Sequence, residues 1–162
     1  MQIAQGWEAV QQFGQQLYRP YQLALLAEAY GQAGQPEAGL PCLAEAVTVV
    51  AATEERWWEA EVSRLQGELL LRLSRPDLPR ATACFHQALD VAQRQQARAL
   101  ELRAALSLAR LWQQQGKRAE AHALLTPIYG WFTEGFDTAD LQDAKAMVEE
   151  LGSAHGEAHH PA

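Results

Sequence analysis

The chain has 162 residues, 48% of them hydrophobic, and a formal net charge of −7. That length holds one domain with a substantial core, and that composition excludes a disordered chain. The acid excess disfavours a nucleic-acid surface or a polybasic membrane patch. Two cysteines are too few for a disulfide framework, and no apolar run is long enough to span a bilayer.

Ala, Leu, Gln and Glu dominate and no stretch alternates like a strand for long, so the expected class is all-α. Eight helical segments follow in chain order. The first, Gln2–Gly14, carries Ile3, Trp7, Val10 and Phe13 at helical spacing. It lacks the basic start and apolar centre of a signal peptide, so the expected compartment is the cytoplasm. Three helix pairs come next: Pro20–Ala33 with Pro36–Ala52, Glu54–Leu73 with Pro79–Gln93, and Ala97–Gln115 with Arg118–Phe132. Pro36 and Pro79 suit a first helical turn, where the missing N–H does no harm. Trp131–Asp137 reads as a loop, and Asp137 or Thr138 is placed to cap a last helix, Ala139–Leu151, stopped by Gly152. Its Leu141, Ala144, Val148 and Leu151 share one face, leaving Asp140, Asp143, Glu149 and Glu150 for water. From Ser153 the tail has nothing to bury and is expected to be disordered.

One pattern recurs in the three pairs. Ala27, Gly34, Gly39, Leu43 and Ala46 are separated by the same steps as Ala109, Gly116, Ala121, Leu125 and Ile128; Gly67, Ser74, Ala81, Phe85 and Ala88 differ only by two extra residues in the turn. Tyr30, Leu70 and Trp112 each follow the first small residue by three positions. Small residues at fixed places on successive helices allow close packing, and the Gly or Ser between them turns the chain back. This is an α-α superhelix of tetratricopeptide-like helical hairpins with a period of about 40 residues. The implied division is 1–16, the second helix of an incomplete repeat; 17–53, 54–95 and 96–132, three repeats; 133–152, a capping helix; and 153–162, the tail.

The segments RPYQLALLAEAYGQAGQPEAGL (Arg19–Leu40), ERWWEAEVSRLQGELLL (Glu55–Leu71), ELRAALSLARLWQQQGKRAEAHALL (Glu101–Leu125) and IYGWFTEGFDTADLQDAKAMVEEL (Ile128–Leu151) resemble one bacterial family. That family is the C-terminal tetratricopeptide-repeat region of multidomain adenylate/guanylate cyclase–ATPase signalling proteins. The likeness covers roughly Gly6 to Leu151 and is most specific over GWFTEGFDT. It implies a protein-interaction or regulatory module attached to upstream repeats or domains. Related repeats occur in LuxR-type ATPase transcriptional regulators, so a sensor region of such a regulator is an alternative. Another is a piece of a larger cyclase or ATPase. No GxxxxGK[ST] loop is present and no catalytic residue carries over, so no enzyme activity and no cofactor are expected.

The remaining candidates for chemistry have simpler explanations. His155, His159 and His160 lie in the tail, which offers no preformed metal geometry, while His86 and His122 have no second histidine or cysteine at helical spacing. Cys42 and Cys84 occupy the same register of their repeats, a semi-buried packing position. Trp57 and Trp58 point about 100° apart on a helix and are expected to pack into the core. The plausible functional surface is the concave face lined by the first helix of each pair. It carries Tyr21, Ala24, Glu28 and Gln32, then Glu61, Arg64, Glu68 and Arg72, then Arg103, Leu106, Arg110 and Gln113. If solvated, Glu61–Arg64 and Glu68–Arg72 would contribute only a few tenths of a kcal/mol, at about 0.3 per spaced pair. The expected partner is a protein or peptide segment, not nucleic acid or membrane. A Lys/Asn clamp for a C-terminal carboxylate is missing, since the chain contains no Asn.

The N-terminal segment reads as a second helix without its first, leaving Ile3, Trp7, Val10 and Phe13 to seek a partner. Weak self-association is therefore expected. Trp7→Glu together with Phe13→Glu should reduce it in light scattering, and a strict monomer at high concentration before substitution would exclude it.

Overall fold

The computed structural model describes Ile3 and residues 18–53 and 56–153. Among the described residues lie seven helices: α1 (Arg19–Gln32), α2 (Pro36–Thr53), α3 (Glu59–Arg72), α4 (Leu78–Arg94), α5 (Arg98–Gln114), α6 (Arg118–Gly130) and α7 (Ala139–Ser153). Beyond Ile3, which is helical, the N-terminal segment lies outside the described residues, as do 154–162 of the tail.

The recurring positions are the packing positions. Ala27, Ala81, Ala109 and Ala121 are buried, as are Leu43, Phe85, Leu125, Ala46 and Ala88, while Ile128 is half-buried. On α1 the buried residues Pro20, Leu23, Ala24, Ala27 and Gly31 form a single stripe with helical spacing. Consecutive helices pack as antiparallel hairpins, α1–α2, α3–α4 and α5–α6. The first helices also touch one another, α1 with α3, α3 with α5 and α5 with α7, whereas no two second helices pack to a comparable extent. First helices that approach while second helices splay define an α-α superhelix with α1, α3, α5 and α7 on its inner side. α7 takes the place of a fourth first helix.

Three helices end in the same hydrogen-bonded turn. Gly34, Gln96 and Gly116 adopt φ of 74°, 53° and 78°. The next residue then donates back to the last turn: Gln35 N–H to the Tyr30 carbonyl at 2.8 Å, Ala97 to Ala92 at 2.9 Å and Lys117 to Trp112 at 2.8 Å. These are Schellman motifs, and they satisfy carbonyls that would otherwise lack partners. The large residues at Tyr30 and Trp112 thus mark the accepting carbonyls. In the middle hairpin the Leu70 carbonyl accepts instead from Asp77 N–H at 3.2 Å, so the two inserted residues lengthen the turn without orphaning it. Asp77 then caps α4, its Oδ1 accepting from Arg80 N–H at 3.1 Å.

Several boundaries differ from expectation. α3 begins at Glu59, because Arg56, Trp57 and Trp58 form a turn. Its Arg56 carbonyl accepts from the Gln95 side chain at 2.7 Å. Both indoles meet Tyr21, Trp57 stacked at 6.1 Å and Trp58 edge-on at 5.2 Å. A continuous helix would have aimed them apart. Trp57 is consequently exposed and Trp58 half-buried, rather than both being core. α6 stops at Gly130, and Trp131 leaves it to lie under the Arg98 guanidinium, 5.0 Å from the ring centroid. α7 continues through Gly152 to Ser153, whose hydroxyl donates to the Glu149 and Glu150 carbonyls at 3.0 Å. Gly152 therefore lies inside the helix rather than stopping it. Neither Asp137 nor Thr138 caps α7 through its side chain; the Thr138 carbonyl accepts the first helical bond, from Gln142 N–H at 3.0 Å.

The turn geometry yields a paired prediction. Gly116→Val forces a β-branched residue into the left-handed region and should lower stability by about 1–2 kcal/mol. Gln96→Gly removes a smaller strain and should raise it by about 0.5 kcal/mol. Thermal melts followed by circular dichroism should shift in opposite directions.

A candidate interaction face on the first helices

The first-helix face is held by an ion network more than it is presented to water. Glu61 on α3 sits at its centre, with its side chain only 2% exposed. It accepts from Arg64 on the same helix, Nη2 to Oε1 at 2.5 Å and Nε to Oε2 at 2.9 Å. Arg103 of α5 reaches the same Oε1 at 2.8 Å and extends toward Asp140 of α7 at 3.7 Å. Ser107 of α5 accepts weakly from Arg64 at 3.4 Å and donates to Glu68 of α3 at 2.7 Å. Further along α5, Arg110 donates to Asp143 at 3.0 Å and Gln113 to Glu150 at 2.8 Å. One row of side chains thereby stitches α3 to α5 and α5 to α7.

Burial works against the charge on the Arg64 guanidinium, but its bond to Glu61 and the nearby carboxylates of Glu61, Glu68 and Glu28 outweigh this and push it up. Glu28 belongs to α1, so the field of the network also reaches the first hairpin. The cost of placing these charges inside is offset because every central group has a partner.

The structure sorts the expected face residues into three groups. Ala24 and Leu106 are core. Glu61 and Arg64 are buried between helices rather than solvated, and the expected Glu68–Arg72 pair is absent, since Glu68 turns to Ser107 and Arg64. Those that water reaches are Gln32, Arg72 and Arg110, which are exposed, and Tyr21, Glu28, Glu68, Arg103 and Gln113, which are half-buried. Arg72 lies against Gly31 and makes no ion pair among the described residues. Asp140, Asp143 and Glu150 correct a second expectation. They partner α5 instead of merely facing water. The signal was the match between bases along α5 and acids along α7, which only the helix register turns into contacts. Ser107 carried no signal at all.

Both cysteines are half-buried, as expected of packing positions, and burial pushes both thiols up, against the partial relief that Arg80 gives Cys84. Among the described residues no group of three or more His, Cys, Asp or Glu could hold a metal. None of their helices is long and apolar enough to cross a membrane. No protein-family model matches the chain, and no curated protein matches it.

Glu61→Ala removes the closest partner of the buried Arg64 guanidinium and of the half-buried Arg103, leaving each only a distant carboxylate, Glu68 and Asp140 respectively, at 3.7 Å. It should cost about 3 kcal/mol, which at this chain length is roughly a 6–12 °C fall in Tm. Thermal unfolding checks this, and a fall below about 2 °C would show that water or relaxation replaces the network.

Proposed function

We propose that this chain is a non-catalytic protein-interaction and regulatory module of the tetratricopeptide kind, from a cytoplasmic bacterial signalling protein of the cyclase–ATPase type. The observation that supports it is the side-by-side approach of α1, α3, α5 and α7, which brings polar and aromatic side chains from successive hairpins onto one surface. The fully buried recurring positions are spent on packing. The accessible members of the row, Tyr21, Glu28, Gln32, Glu68, Arg72, Arg103, Arg110 and Gln113, mix both signs of charge with one aromatic ring. That composition suits a peptide segment lying across the helices, bound by side-chain contacts spread over several repeats.

A random peptide library displayed on phage and selected against the folded chain tests this reading. Selected peptides should bind in the micromolar range, about −8 kcal/mol, and lose at least about fivefold in affinity on Arg72→Glu with Arg110→Glu. The same reversals at Arg80 and Arg94 on α4 should leave binding unchanged. Ligands that respond only to the α4 reversals would move the site to the second helices. Turnover of ATP that a point substitution abolishes would overturn the non-catalytic assignment.

A further inference from the structure

The loop between α6 and α7 roofs a pocket of about 590 Å³, within the range of ligand sites. Its walls include Leu102 of α5, Leu141 of α7 and the loop residues Trp131 and Phe132; its polar lining includes the carboxylates of Glu134 and Asp140. No lysine or arginine lines it. Glu134 is exposed and has no partner among the described residues, and Asp140 is met only by Arg103, at 3.7 Å. An apolar well with the unpaired carboxylate of Glu134 and the loosely paired one of Asp140 at its rim is complementary to one kind of side chain. That side chain has an alkyl stem long enough to enter the well and a cationic head that pairs outside it.

The chain already makes such a contact on the neighbouring side of the loop. Trp131 is shared between this pocket and a smaller one, and Arg98 lines only the smaller one. The Arg98 guanidinium lies 5.0 Å from the Trp131 ring centroid, in cation–π range. Asp140 joins the pocket to the first-helix face through Arg103, so a chain anchored in the well has a polar surface to continue onto.

The geometry points to a binding site for an arginine or lysine side chain flanked by apolar residues, on a basic segment of a partner protein, with Leu102, Leu141 and Trp131 holding the stem and Glu134 and Asp140 the head. This site is independent of the binding proposed for Arg72 and Arg110. Either can fail without the other, because the ligand, the variants and the observed residues differ.

The test is a titration of the chain with acetyl-Gly-Leu-Arg-Leu-Gly-amide, followed by the methyl resonances of Leu102 and Leu141 and the indole N–H of Trp131. Matched peptides carry citrulline, a neutral isostere, or glutamate in place of arginine. The arginine peptide should bind about tenfold more tightly than the citrulline peptide, and the glutamate peptide should not bind. Glu134→Gln with Asp140→Asn should shrink the arginine advantage to below about twofold, and Glu134→Gln alone, at an exposed loop position, should shrink it partway. Equal binding of the arginine and citrulline peptides would overturn the proposal, as would the absence of any shift at millimolar peptide. Methyl shifts that follow protein concentration instead of peptide would make a second copy of this chain the occupant and would overturn it too.

Discussion

Two helices can approach closely only if nothing stands between them, and in this protein that constraint is met at Gly39, where backbone meets backbone, and at Gly67, where the Phe85 ring lies against the helix. A Cβ at Gly39 would lie 2.9 Å from the Ala27 carbonyl oxygen and 2.7 Å from Leu69 Cδ1. One at Gly67 would lie 2.5 Å from Phe85 Cε1. The first contact sets the crossing of α1 on α2 and the second that of α3 on α4. Once those crossings are fixed, the rest of each hairpin follows: Leu43 and Phe85 fill the space behind the small residues, and Leu69 projects from α3 against both Gly31 and Gly39 of the first hairpin. A close-packed interior passes such placements on because it has little slack.

Packing alone would let neighbouring hairpins slide. The Glu61 network resists that, since its partners come from α3, α5 and α7 and their geometry is directional. Apolar contacts supply most of the stabilisation between these helices, as the large buried cluster running from Leu70 to Leu151 indicates. The charged row adds register, and it does so on the face that also offers groups to a ligand. The same side chains therefore divide between structure and recognition. The division follows burial: Glu61 and Arg64 are enclosed, while Arg72 and Arg110 remain within reach of solvent.

The Trp131–Thr138 loop adds a different surface. It is rich in aromatic and acidic residues. Because α6 ends early and Trp131 turns toward Arg98, the loop is held against α5 and α7 and encloses a pocket.

The sequence by itself determined the all-α class, the three hairpins, the fully buried small and large positions, and the two glycine turns. These depend on local spacing and on residue size, which are written directly in the chain. It carried the first-helix row as a list of residues but misjudged their surroundings, because spacing on one helix gives a direction and not a neighbour. Whether Glu61 meets water or Arg103 depends on how α5 is offset against α3, which spacing along α3 does not encode. The unwound start of α3 has a similar origin, since Trp57 and Trp58 are pulled toward Tyr21 on another helix. The Gln96 turn was hidden for the opposite reason: nothing in a glutamine announces a left-handed conformation. The spacing placed the reversal between Gln93 and Ala97; the tertiary structure alone decided that Gln96 takes the left-handed conformation there, with α5 lying against α3.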